Sequence, residues 1–88
     1  MDEMLATIKL FAGSFVPRGF MECNGQTLLI MNNQALFSLL GTNYGGDGTH
    51  NFQLPDLRPL DEAGKKRSWN NDEPRFIICV EGIYPSRD

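Results

Sequence analysis

The chain has one histidine, two cysteines and four serines from which chemistry could be built. His50 follows the run Gly45-Gly46-Asp47-Gly48-Thr49. A general base needs a nucleophile in reach and a carboxylate to orient it. Asp47 and Asp56 are the acids that could approach His50, but no nucleophile accompanies them locally. Ser14, Ser38, Ser68 and Ser86 all lack the Gly-x-Ser-x-Gly setting of a strand-turn-helix nucleophile. The glycine run resembles a phosphate cradle, which would need Lys-Ser/Thr and a helix directly behind it. Thr49-His50-Asn51-Phe52 leads into an extended segment instead, so the glycines are read as tight turns. Asp47 lacks the alternating carboxylates of a calcium loop, and two distant cysteines with one histidine do not give zinc spacing. The expectation is no catalytic set, no metal and no cofactor. Cys23 and Cys79 both lie in apolar stretches and are expected to be buried free thiols. Their spacing leaves a disulfide open.

Two aromatics, Tyr44 and Trp69, fall in polar loops. Loop aromatics bury large area at small entropic cost, so they can anchor a partner or stack on a sugar. The same side chains can fold back over a small core, the expected fate of Tyr44 and an equal alternative for Trp69. With His50 they form the candidate contact set, for a protein partner or a surface glycan.

Charge narrows the partner classes. The net charge is -3, and the one basic cluster, Lys65-Lys66-Arg67, sits among Asp61, Glu62, Asp72 and Glu73. Phosphate neutralisation needs a basic stripe, so no nucleic-acid partner is expected. Apolar runs are too short to cross a bilayer, and Met1-Asp2-Glu3 opens no signal-peptide pattern. No membrane insertion and no export signal are therefore expected.

These residues must be held by few elements, because 88 residues support one core. With 41% hydrophobic and 22% charged residues the composition is globular, and a core this small makes self-association a natural source of stability. Residues 7–12 alternate and read as a first strand. Residues 20–30 place apolar arms around Asn24-Gly25, the signature of a type I′ hairpin in which Met21 faces Leu28 and Phe20 faces Leu29. A short helix is expected over residues 33–40, with Asn32 as N-cap, a Met31–Leu36 staple, a buried Leu36/Leu39/Leu40 stripe and Gly41 as terminator. Residues 41–51 are loop, and Phe52-Gln53-Leu54 is a short extended piece that Pro55 confines to an edge or a strand end. Residues 58–74 lack apolar periodicity, and residues 62–71 are expected to be exposed and mobile. Phe76-Ile77-Ile78-Cys79-Val80 reads as a strand buried on both faces that joins Phe52-Gln53-Leu54 in one core and one sheet. The fold class is α+β: a small β-rich sheet with the Asn24-Gly25 hairpin and one short helix packed on it.

Several of these segments together resemble the phage tail-collar domain. They are Ile8-Lys9-Leu10-Phe11-Ala12-Gly13, Pro17-Arg18-Gly19-Phe20, Cys23-Asn24-Gly25-Gln26 and Asn33-Gln34-Ala35-Leu36-Phe37-Ser38-Leu39-Leu40-Gly41. Tyr44-Gly45-Gly46-Asp47-Gly48 and Phe52-Gln53-Leu54-Pro55-Asp56-Leu57-Arg58 continue the order without a gap. The closing stretch Cys79-Val80-Glu81-Gly82-Ile83-Tyr84-Pro85-Ser86-Arg87 is similar to the last strand of the longer "microcystin-dependent" collar proteins. In those relatives a long Gly-, Thr- and His-rich region precedes that strand, whereas here only residues 59–74 intervene. The departure starts at Pro59, where the pattern carries Gly followed by Arg. The resemblance divides one domain, 1–88, into a collar motif (8–58), a shortened variable loop (59–74) and a closing strand with tail (75–88).

The resemblance implies a non-catalytic structural part of a phage tail or phage-derived tail-like particle, often trimeric, without a cofactor. Its partners would be copies of itself or other tail proteins. Its place would be the virion or tail-like particle, with a prophage-encoded origin one context. The competing reading is a stand-alone module that binds cell-surface glycans through the Tyr44 and Trp69 loops.

Overall fold

An apolar run such as Phe76-Ile77-Ile78-Cys79 needs cover on both faces, and only a central strand receives it. In the computed structural model, which describes residues 3–86, that run is the middle of a three-stranded sheet. Strand β1 (Ile8–Phe11) and strand β2 (Phe20–Glu22) flank it, and both run antiparallel to the last strand, β5 (Arg75–Cys79). Ile77, Ile78 and Cys79 are completely buried, but Phe76 is 37% exposed and the strand ends before Val80, so the run is not covered on both faces throughout as expected. A second sheet pairs β3 (Thr27–Leu29) with β4 (Asn51–Gln53). Between those two strands lie a 3-10 turn (Ile30–Asn32) and the single helix α1 (Gln34–Leu40). One core joins these parts: Leu5, Cys23, Leu36, Leu40, Phe52, Leu54 and Ile78. The α+β class stands, with two small sheets rather than one. The Phe52-Gln53-Leu54 and Ile77-Ile78-Cys79 segments share the fold but lie in different sheets.

The Asn24-Gly25 hairpin is corrected. The chain does bend there, but its arms do not pair with each other. Phe20, Met21 and Glu22 lie opposite Cys79, Ile78 and Ile77, while Thr27, Leu28 and Leu29 lie opposite Gln53, Phe52 and Asn51. A type I′ turn needs positive φ at both central residues. Gly25 has it at 78°, whereas Ala6 is the only non-glycine with positive φ among the described residues. Asn24 instead uses its side chain, whose Oδ1 accepts the Gln26 N–H at 3.2 Å. Such an Asx turn bends a strand without reversing it.

What replaces the hairpin is a longer ladder. The register of β3 and β4 continues past their ends: Leu54 N–H donates to Gln26 O, Gly25 N–H to Pro55 O, and Leu57 N–H to Cys23 O at 2.8 Å. Asn24 faces Asp56 as an isolated bridge. On its other side, Cys23 N–H donates to Phe76 O at 3.0 Å. Cys23 is thus the residue where one strand leaves β5 and takes residues 51–57 as its partner.

The helix starts later than its cap signals indicate. Asn33, not Asn32, is the N-cap, and its amide side chain donates to Leu29 O at 2.9 Å rather than accepting helix amides. Met31 is 74% exposed, which rules out a staple with Leu36. The 3-10 turn takes the residues that a longer helix would have used. Leu36 and Leu40 are buried as expected, Leu39 packs partly on the same core, and Phe37 meets the Phe52 ring at 5.3 Å between centroids. Gly41, at φ 56°, ends the helix, with its N–H donating to Phe37 O.

Gly25 holds the crossing point through two constraints at once, positive φ and a hypothetical Cβ that would sit 3.3 Å from Asp56. Gly25→Val is expected to cost about 1–3 kcal/mol, since a β-branched residue is strained there. Urea denaturation measures this, and an unchanged midpoint would contradict it.

Candidate functional site

The glycine-rich loop is built by close backbone approach. Gly45 O accepts the Gln53 N–H at 3.1 Å, and Gly48 N–H donates to Asn51 O at 3.0 Å. A Cβ on Gly46 would fall 2.5 Å from Phe52 Cα, so only glycine lets the loop lie against β4. The loop is an added flank to the second sheet. The N–H groups of Gly45, Asp47, Gly48, Thr49, His50 and Asn51 are all satisfied within the loop.

Asp47 organises the rest of this loop. Its Oδ1 accepts the N–H groups of Thr49, His50 and Asn51 at 2.8, 2.8 and 3.0 Å, and Asn51 Oδ1 accepts the Asp47 N–H. Three backbone donors favour the carboxylate and hold the Asp47 carboxyl down at about 2. His50 Nδ1 lies 3.7 Å from Asp47 Oδ2, and the imidazole is 80% exposed. This is a loop clasp with a solvated histidine beside it, not a base oriented toward a nucleophile.

The second acid, Asp56, is also engaged. Arg58 forks onto it through Nε and a terminal nitrogen at 2.9 and 2.8 Å, which is the first cause of its carboxyl falling to about 2. Lys66 Nζ then donates to Asp56 O and Arg58 O, both at 3.0 Å. Residues 54–58 are therefore held from one side by residues 23–26 and from the other by Lys66. The sequence marked Lys66 only as part of a basic cluster and not as a brace. Its role depends on a loop returning over the ladder, and no local pattern encodes that return.

Residues 58–74 are mostly exposed, as expected, but they carry their own ties. Asp61 Oδ1 accepts the N–H groups of Ala63 and Lys65, and Leu60 bridges Lys66. Arg67 pairs with both carboxylate oxygens of Glu73 at 2.6 and 3.2 Å. Buried Arg75 donates to Glu22 and reaches Asn70 O at 3.4 Å.

The three candidate contact residues do not converge. Tyr44 is half-exposed in the glycine-rich loop and, contrary to expectation, does not fold back over the core. His50 lines a groove of about 290 Å³ with Leu29, Ile30, Met31, Gln34 and Thr49, which includes neither aromatic. Trp69 packs partly buried against the core. Among the described residues the close ring pairs are Phe11–Phe15 and Phe37–Phe52, so Tyr44 and Trp69 do not stack. Cys23 and Cys79 are buried free thiols, and burial pushes Cys23 up to about 11 and Cys79 also upward. Among the described residues no group of three or more His, Cys, Asp or Glu could hold a metal, and no helix is long and apolar enough to cross a membrane.

The polar residues of the most distinctive segments are thus engaged in holding loops and ladder together. A family model, that of the phage tail collar domain, matches residues 6–60 of the 88. The chain belongs to the phage tail collar domain family. That family is a structural one of phage tails and tail fibres. A search of the curated proteins found no significant match. The collar match spans β1 to β4 and α1 but stops short of β5. The collar motif here consequently leaves β1 and β2 separated by a gap that a strand from outside the match fills.

Asp47 gives the loop a pH dependence of known sign. Its folded pKa lies below the ordinary value of 3.8, so its contribution is present above that value and is lost as pH falls toward about 2. Carboxyl NMR is expected to show an Asp47 midpoint near 2, with the amide shifts of Thr49, His50 and Asn51 moving together. A midpoint at 3.8 would contradict the clasp.

Proposed function

We propose that this chain is a non-catalytic assembly module of a phage tail or phage-derived tail-like particle, joined to copies of itself or to neighbouring tail proteins. The observation that carries the reading is the use made of the family's own residues. Asp47 and Asp56 are held by backbone amides and Arg58, and the glycines lie against β4. An enzyme would leave such acids facing a cleft with perturbed partners. A trimer is one arrangement the reading admits, and residues 59–74 stand as the shortened variable region. Tyr44 and His50, both exposed, are the side chains we assign to partner contact. Glycan recognition would rest on these two, because Trp69 is partly committed to the core.

The test is fractionation of particles from an induced lysate of the source strain, with an antibody to this chain. The chain is expected to co-sediment with tail or tail-like particles and to be lost from them in a deletion strain complemented only by a Gly46→Val variant. A chain that stays with the free protein while intact particles sediment without it would overturn the assembly reading.

A further inference from the structure

Asn24-Gly25 lies where the chain exchanges strand partners, and it is also a pair that can modify itself. The backbone nitrogen after an asparagine can attack the side-chain amide carbon, expel ammonia and close a five-membered imide. A following glycine favours this attack, because it has no Cβ to hinder the approach and the freest backbone. Among the asparagines of the chain only Asn24 precedes a glycine. The attacking nitrogen must first give up its proton, and here the fold intervenes. Gly25 N–H donates to Pro55 O at 3.1 Å, while Leu54 N–H to Gln26 O and Leu57 N–H to Cys23 O close the ladder on either side. The side chain of half-buried Asn24 is itself engaged, with Oδ1 accepting the Gln26 N–H at 3.2 Å. The aspartyl pair open to the same ring closure, Asp47-Gly48, is guarded alike. Gly48 N–H donates to Asn51 O at 3.0 Å, and three backbone amides hold the Asp47 carboxylate.

We propose that Asn24 is a deamidation site gated by the strand crossing: the intact ladder holds the reaction off, and opening of residues 23–26 from residues 54–57 starts it. In the open segment Gly25 N loses its proton to solvent and bonds to Asn24 Cγ. The bond from Cγ to the side-chain nitrogen breaks, and that nitrogen takes up a proton and leaves as ammonia. Water then opens the imide at one of its two carbonyls. Opening at the side-chain carbonyl leaves an aspartyl residue with the ordinary backbone. Opening at the backbone carbonyl leaves an isoaspartyl residue, whose main chain runs through the former side chain and is one carbon longer. Only water is consumed. The extra carbon falls between Cys23 and Gly25, so the 23–57 and 25–55 hydrogen bonds can no longer form in one register. Asn24 thus makes opening of the crossing irreversible: a copy that has opened for long enough is kept from closing again. The inference does not depend on the tail-assembly reading, because it needs only this chain and water.

Incubation of the full chain at mildly alkaline pH, native in buffer and unfolded in urea, tests this when followed by peptide mapping across Asn24. Deamidation is expected in urea and should be at least about tenfold slower in buffer, because only the open fraction of the native chain reacts. Asn24→Gln, which would have to close a six-membered ring, should stay unreacted at that position in urea. The isoaspartyl chain, separated by chromatography and returned to buffer, should lack slow amide exchange at Cys23 and Leu57, which a chain unfolded only briefly regains. Equal rates in buffer and urea, no reaction in urea, or an isoaspartyl chain that recovers slow exchange at both amides would each overturn the proposal.

Discussion

The whole fold turns on the backbone of Cys23. Its N–H donates to Phe76 O in β5 and its carbonyl accepts the Leu57 N–H, so two sheets are joined through one buried residue. A buried peptide group without both partners would carry a desolvation cost, so neither ladder can shift independently. Gly25 and the Asn24 side chain then bend the strand into its second pairing. Asp56, Arg58 and Lys66 brace the facing segment from outside. The core residues Phe52, Leu54, Leu36 and Ile78 fill the space between the sheets that this crossing creates.

Much of this was legible from local patterns, and the failures have a common origin. The β5 run, the buried Leu36 and Leu40, Gly41 as terminator and the turning role of the glycine-rich loop follow from periodicity and from glycine's access to positive φ. Asn24-Gly25 misled because local chemistry specifies a bend but not which strands meet on either side of it. The partners, β5 and residues 51–57, are distant in sequence and leave no signal beside the turn. Asn32 and Met31 failed similarly, since the Asn33 side chain and a 3-10 turn take over the helix start. Among site residues, the exposure of His50 was readable from its place in a polar loop. The partial docking of Trp69 and the clamp by Lys66 were not, because both depend on how residues 58–74 return over the fold.

The same architecture accounts for why a structural role suits the chain. Several of its distinctive polar residues bind the backbone, and the exposed surface includes large apolar side chains, among them Leu10, Phe15, Met31 and Leu60. Surfaces of that kind serve contact rather than reaction. The central strand lies outside the matched collar residues. The matched residues accordingly rely on the connection through residues 59–74 to bring β5 between β1 and β2. Loop closure entropy grows slowly with length, about 0.6 kcal/mol per doubling, so that requirement is easily met.

The partner exchange at Cys23 is most directly tested by NMR of the native chain, through Hα–Hα contacts between opposed residues. The crossing predicts contacts of Glu22 with Ile77 and of Thr27 with Gln53, with slowly exchanging amides at Cys23 and Leu57. Contacts between residues 20–22 and 27–29, with fast exchange at Leu57, would show a hairpin and contradict the account.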